Sequence, residues 1–340
     1  MREVQFKSFG IIEPLSTSQR PALPSNGTGR WAVWISAVLF AVLAGCATSQ
    51  PKPAPAKPAP AKPAPGIAVL LSDRSPAIVG VQREIVKRYP QPIETYVLGE
   101  NESLHRDVQK TIQSSDQPVV VAIGLPAARV ARSLTGKKVI FCQVFTYEDE
   151  ELVTAWMKGV SAIAPVREQF RTWKKLSPKL NTVGVITGKG MRGLMAEAQA
   201  AAKENRIKLI HVEVSSDKEY LYTYKRLTQQ IQGLWVVPDH RVLSLNVIRD
   251  IMAHSVKEGK DVAVFTQELL SLGGLISAET SVADIAEQVL TRVRESEQSI
   301  DVTGAPIVPL TKAVIKINTV MAQRLNLRIA KSLQRMAYAP

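Results

Sequence analysis

Val119-Val120-Val121-Ala122-Ile123-Gly124-Leu125-Pro126-Ala127-Ala128 is the stretch that decides the fold. From Pro118 to Ile123 it is nearly all apolar, the pattern of a strand buried on both faces rather than on one. Gly124-Leu125-Pro126 then turns the chain into a helix expected over 126–134. The same grammar extends upstream. Ile67–Leu71 reads as a buried strand, and 76–88 as a helix with Ile78, Val81, Ile85 and Val86 at helical spacing. Ile93–Leu98 and 102–113 repeat the pair, and Lys138–Val144 is a fourth strand. A second series follows. Helices over 165–176, 191–204, 217–231 and 241–258 alternate with strands Thr182–Thr187, Ile207–Val214, Leu234–Val237 and Val262–Phe265. Apolar strands with helical crossovers imply parallel sheets covered on both faces. Two such series imply two α/β lobes with a cleft between them. The lobes are expected over 66–153 plus 260–300 and over 154–259 plus 301–340. In such sheets the ligand site lies beyond the carboxyl ends of the strands.

Composition narrows the function classes. With 340 residues, 45% of them hydrophobic, the chain is globular and long enough for about two domains. The 43 Lys+Arg against 30 Asp+Glu give a net charge of +13, but the excess is spread along the chain. No basic–aromatic motif or finger spacing accompanies it, so a nucleic-acid partner is not expected. Two cysteines, Cys46 and Cys142, exclude a disulfide framework and a cysteine-built zinc site. The four histidines show no metal-binding spacing, and neither a metal nor another cofactor is expected. Gly188-Lys189-Gly190-Met191-Arg192-Gly193 lacks the spacing of a phosphate-binding loop, and no nucleophile elbow is present. Cys142, inside an apolar strand, reads as an inert buried thiol.

The N-terminal region reads as an address. Trp31 to Ala44 is a 14-residue apolar run after Arg30, shorter than the roughly 20 residues of a span. It fits the apolar core of a secretory signal over 1–45. Leu43-Ala44-Gly45-Cys46 resembles a bacterial lipobox, which implies lipidation at Cys46. Residues 51–65 contain seven prolines, which excludes helix and sheet. At about 3.1 Å per residue this is a semi-rigid stalk of roughly 45 Å, the main part of a 46–65 linker. Ala47, where Asp would imply retention at the inner membrane, points to the outer membrane. The expected placement is the periplasmic side of the envelope, with membrane contact through the lipid anchor alone.

The strand ends carry a family likeness. Val119–Ala128 resembles an element of ABC-transporter substrate-binding proteins of the tryptophan/tyrosine type. So, in order, do Leu176-Ser177-Pro178-Lys179 with Thr182-Val183-Gly184-Val185, Val236-Val237-Pro238-Asp239-His240 and Leu272-Gly273-Gly274-Leu275-Ile276-Ser277. Ile317-Asn318 with Ala322-Gln323-Arg324-Leu325-Asn326-Leu327 completes the set. The resemblance covers roughly 66–330 and implies a type I periplasmic-binding fold. It also implies a non-enzymatic role: capture of a small, amino-acid-like molecule for an ABC permease. Three departures stand out: Leu125 where the family has Thr, His240 where it has Asn, and a 284–290 helix without its glycine. An alternative of another class stays open, an outer-membrane interaction or regulatory module, such as an activator of a cell-envelope enzyme.

The expected ligand contacts follow from the strand ends. Gly124, Leu125, Pro126 and Ala127 open a helix whose free N–H groups suit a carboxylate; the alternative, which the residues favour slightly, is a plain turn needing glycine. Asp239 suits an ammonium group or, alternatively, the N-cap of the 241–258 helix. Tyr147 and His240 are lip residues, and Glu268 follows a strand. Ser72 and Asp73 follow the first strand, where Asp73 could also cap the helix beginning near Ser75. Leu125 and Tyr147 favour an apolar or aromatic ligand body.

Overall fold

The computed structural model describes residues 66–99 and 101–340. The expected signal over 1–45, Cys46 and the proline-rich 51–65 segment lie outside the described residues. The first lobe alternates strand and helix: β1 (Ile67–Leu71), α1 (Pro76–Arg88), β2 (Ile93–Val97), α2 (Glu102–Ser114), β3 (Val119–Ile123), α3 (Leu125–Arg132), β4 (Lys138–Cys142) and β5 (Met157–Val160). The chain then enters the second lobe with α4 (Val166–Leu176), β6 (Thr182–Thr187), α5 (Arg192–Glu204), β7 (Lys208–Glu213), α6 (Asp217–Leu227), β8 (Gly233–Trp235), α7 (Leu245–Lys257), β9 (Asp261–Val264) and β10 (Ile276–Thr280). It returns for α8 (Val282–Glu297) and β11 (Ile307–Val308). It crosses again for β12 (Ala313–Asn318), α9 (Thr319–Arg324) and β13 (Ala337–Tyr338).

The first sheet has the order β11-β5-β4-β3-β1-β2 with every pair parallel. The second has the order β13-β12-β10-β9-β8-β6-β7, and only β10 with β12 is antiparallel. β1 and β3 are buried along their whole length. Val81 and Ile85 of α1 pack with Val289 and Val293 of α8 on one face, while Ala127, Ala128 and Ala131 of α3 pack on the other. In the second lobe Phe170 and Trp173 of α4 pack under β8, where Trp235 Nε1 donates to Gln169 Oε1 at 3.0 Å.

The strand pairing corrects the expected lobe boundaries. β5 belongs to the first sheet, because Met157 is in register with Val139. β9 and β10 belong to the second, because Trp235 is in register with Ala263 and Ser277 with Val264. The chain thus passes between lobes three times, after β5, after β10 and after β11. Asp284, fully buried at the start of α8, ties two of these passages. Its carboxylate accepts from Thr311 N and Oγ1 and from Lys312 N at 2.6, 2.7 and 2.9 Å. Burial works against its charge, but these donors prevail and hold the carboxyl below the usual range.

Asp261 opens β9 with no such partners. It is 8% exposed and its Oδ2 accepts no hydrogen bond. Burial, the largest influence, pushes its carboxyl up despite Ser177 and Trp173 nearby. A carboxyl raised in the folded state costs stability above its unfolded pKa of about 3.9. Asp261→Asn should therefore stabilise the protein at pH 7 by about 1 kcal/mol, or about 2–4 °C in Tm. The gain should vanish below pH about 4. Thermal melts at the two pH values test it, and an equal or lower Tm at pH 7 refutes it.

Candidate functional site

The carboxyl ends of both sheets face one cleft, and two cavities open in it. The larger, about 860 Å³, lies between the ends of β4, β5 and β11 in the first lobe and α5 in the second. Its wall is mostly apolar, from residues such as Val144, Val153, Leu194, Ala201, Ile307 and Leu310. The smaller, about 270 Å³, sits at the crossing strands and holds Gln143, Trp235, Phe265, Thr266 and Glu279. Phe145, Ala162 and Ile163 line both. Gln143 has φ of 57°, a left-handed conformation uncommon outside Gly, Asn and Asp, at the point where β4 delivers the chain into the cleft.

The polar groups expected to hold a ligand are largely satisfied by the protein. Ser72 Oγ is buried and accepts the Ala127 N–H at 3.0 Å, so the α3 N-terminus is capped from within. Leu125 is half-buried and packs on the first-lobe core, while Pro126 is exposed. Asp73 is exposed and accepts the Ser75 N–H at 2.6 Å. Asp239 is 1% exposed and does not cap a helix. α7 begins at Leu245, with Ser244 as its N-cap, four residues later than the expected start. The Asp239 carboxylate instead holds the Arg241 guanidinium, from Nε to Oδ1 at 2.8 Å and from Nη2 to Oδ2 at 2.7 Å. Oδ2 also accepts Gly188 N–H at 2.8 Å. The expected ammonium site at Asp239 is therefore taken by Arg241. Burial opposes the Asp239 charge, but Arg241 and Gly188 outweigh it and hold the carboxyl below the usual range. His240 and Glu268 are exposed, and Glu268 accepts from Thr266 Oγ1. Of the expected ligand residues, Tyr147 alone lines either cavity. Burial pushes its hydroxyl up to about 12. Cys142 is buried, and burial pushes its thiol up to about 12 as well.

Residues 147–149 of the first lobe reach across to the second. Glu148 accepts the Arg192 and Gly193 N–H groups at 3.0 and 2.6 Å, so it caps the N-terminus of α5. Asp149 Oδ2 accepts from Arg241 Nη1 at 2.9 Å. The glycines of the 188–193 run make room for this clasp. A Cβ on Gly190 would stand 3.0 Å from Asp149 Cβ, and one on Gly193 would stand 2.8 Å from the Tyr147 hydroxyl. That run serves an interlobe contact, as its spacing had already excluded a phosphate loop. The cavity residues on α5 carry no signal in the sequence, because only the docking of the two lobes brings them to the cleft.

The model of the family described as ABC transporter substrate binding protein matches residues 98–339. The chain belongs to that family. It is a family of binding proteins rather than catalysts, which act outside the cytoplasm with an ABC permease. Solved structures agree on the fold. One from Streptococcus pneumonia, described as an ABC domain in complex with L-Trp, is 19% identical. It aligns with a TM-score of 0.56 over 81% of this chain and 99% of that one. A ligand-free, open substrate-binding protein with adhesive properties from Clostridium difficile is 15% identical, with a TM-score of 0.59 over 80% and 98%. A conserved domain protein from Vibrio cholerae is 16% identical, with a TM-score of 0.55 over 80% and 98%. This substrate-binding protein thus has the type I periplasmic-binding fold. No curated protein matches it in sequence. Among the described residues no helix is long and apolar enough to cross a membrane.

Proposed function

We propose that this protein captures a small solute in the interlobe cleft and presents the closed form to an ABC importer, held at the envelope by a lipid on Cys46. The observation that carries the reading is the cleft itself. Cavities of about 860 and 270 Å³ are lined jointly by both lobes, so closure and occupancy are coupled. A ligand touching both lobes favours the closed arrangement by its differential affinity for it. The outer-membrane placement rests on Ala47 and the stalk. The test is to identify by mass spectrometry what the purified chain releases on unfolding, and to titrate it back during small-angle scattering. Saturable binding with a smaller radius of gyration is expected. A chain that releases nothing and keeps its radius with candidate solutes overturns the proposal. One observation favours the interaction-module reading: the lobes are already tied by their own side chains, Glu148 to α5 and Asp149 to Arg241.

A further inference from the structure

We infer that the larger chamber selects an apolar molecule bearing an amine and no carboxylate, with Glu197 as the group that receives the ammonium. The inference rests on the reading of the cleft as a solute site and goes further by naming the ligand class. An amino acid needs an anion-binding device as well as a cation-binding one. The devices that could hold a carboxylate are committed. The α3 N-terminus donates to Ser72 Oγ at 3.0 Å. The α5 N-terminus, at the chamber wall, donates to both oxygens of Glu148, at 3.0 and 2.6 Å. Arg241 is shared between Asp239 and Asp149. The one cationic side chain that lines the chamber, Arg167, points largely into solvent and pairs there with Glu204 at 2.8 Å.

What remains open is acidic. Glu197, on α5 one turn after Gly193, lines the chamber and makes no ion pair among the described residues. It is exposed to the open cleft, and the chamber wall beside it pushes its carboxyl up, against the pull of Val166 N–H and Arg167. When the lobes close over a ligand, this carboxylate and its ammonium partner leave water together, and the lower local dielectric strengthens the pair. The rest of the wall supplies apolar area, from residues such as Val144, Val153, Leu194 and Ile307, with Phe145 and Tyr147 for an aromatic ring. A cavity of about 860 Å³ falls in the range of ligand pockets. In the smaller cavity Glu279 Oε1 is engaged by Gln267 N–H, and no anion-binding group is added there.

Three probes sharing one ring separate the classes: tryptamine, L-tryptophan and indole-3-propionate, titrated calorimetrically into the full chain. Tryptamine should bind at least tenfold more tightly than either of the others. Glu197→Gln should weaken tryptamine about tenfold or more, about 1.4 kcal/mol, with the Tm unchanged. Ala200→Trp, on the exposed side of α5 where it lines the chamber, should abolish tryptamine binding by filling the space. Tryptophan binding as tightly as tryptamine overturns the amine assignment and leaves solute capture standing. Undiminished tryptamine binding by a folded Ala200→Trp protein overturns the chamber. If none of the three binds, the inference falls, and solute capture is then judged by the ligand the chain itself releases.

Discussion

Arg241→Ala should cost about 3–5 kcal/mol of stability at pH 7, the usual result of stripping one partner from a buried ion pair. Asp239 is 1% exposed, and among the described residues Arg241 is the cation that pairs with it. The Gly188 N–H at 2.8 Å and the Arg241 backbone N–H at 3.3 Å remain, but neither carries a charge. The Arg241 side chain is 24% exposed and partly solvated, so the low end of the range is expected. The pH dependence fixes the mechanism. In the wild type the Asp239 carboxyl is held low, so its contribution is present above the unfolded pKa of about 3.9 and lost as pH falls through the folded value. In Arg241→Ala burial, the largest influence on that carboxyl, is opposed only by those two N–H groups and raises it, so the deficit should open above pH about 4 and shrink in acid. Urea titrations at pH 7 and pH 4 measure both. A deficit equal at the two pH values would mean that packing of the Arg241 stem, and not charge, was lost. Asp149→Asn breaks only the interlobe arm of the same guanidinium and should cost under about 1 kcal/mol, as surface pairs do.

Much of this fold is legible along the chain. β1, β3 and β6 announce themselves by β-branched runs, and α1 by its apolar spacing together with Pro76 at its first position. Short strands were not legible. β5 reads Met-Lys-Gly-Val, with a charge and a glycine in four residues, and it exists because β4 and β11 offer it ladders on both edges. β11 has two residues and β13 two, too few for any period. The lobe boundaries failed for the same reason, since sheet membership is a matter of pairing across long separations.

The strand ends were legible in the sequence, and the residues that line the cavities, Tyr147 apart, were not. Gly124, Asp239 and Tyr147 do stand just beyond strand ends, as the alternating pattern implies. Whether a group there faces a ligand depends on who reaches it first. Ser72 lies 55 residues from the Ala127 N–H it accepts, and Glu148 lies 45 residues from Gly193. No local pattern encodes such meetings. Arg241 lies only two residues from Asp239, yet the helical reading of 241–258 hid it, by placing the guanidinium on a helix face and not back over the carboxylate. The four residues between Asp239 and Ser244 form a loop because the ion pair holds that loop in place.

Gly124→Ala should destabilise the protein by about 3–4 kcal/mol, and the effect should be on folding before it is on binding. Gly124 has φ 91° and ψ 166°, a region open almost to glycine alone, where a side chain costs about 1–3 kcal/mol. The new Cβ would also stand 2.5 Å from Ser72 Oγ and 3.1 Å from Ile78 Cδ1. Ser72 must then move, which breaks its bond from Ala127 N–H, a further ~1 kcal/mol. At about 2–4 °C per kcal/mol the Tm should fall by roughly 10 °C. Ser72→Ala alone removes only the acceptor and should cost about 1 kcal/mol, as the loss of a cap does. Ser72→Gly placed in the Gly124→Ala background removes the clash and leaves the strained φ. The double variant should therefore recover part of the loss, a non-additivity expected only of residues in contact. The contrary outcome has a clear meaning. If Gly124→Ala melts like the wild type while ligand affinity falls, the glycine is there to let a ligand approach the backbone. The α3 N-terminus would then be open to a carboxylate after all, and an amino acid would again be the expected ligand. A large loss in Tm, with binding intact in the fraction that folds, assigns Gly124 to the turn and Ser72 to the helix end.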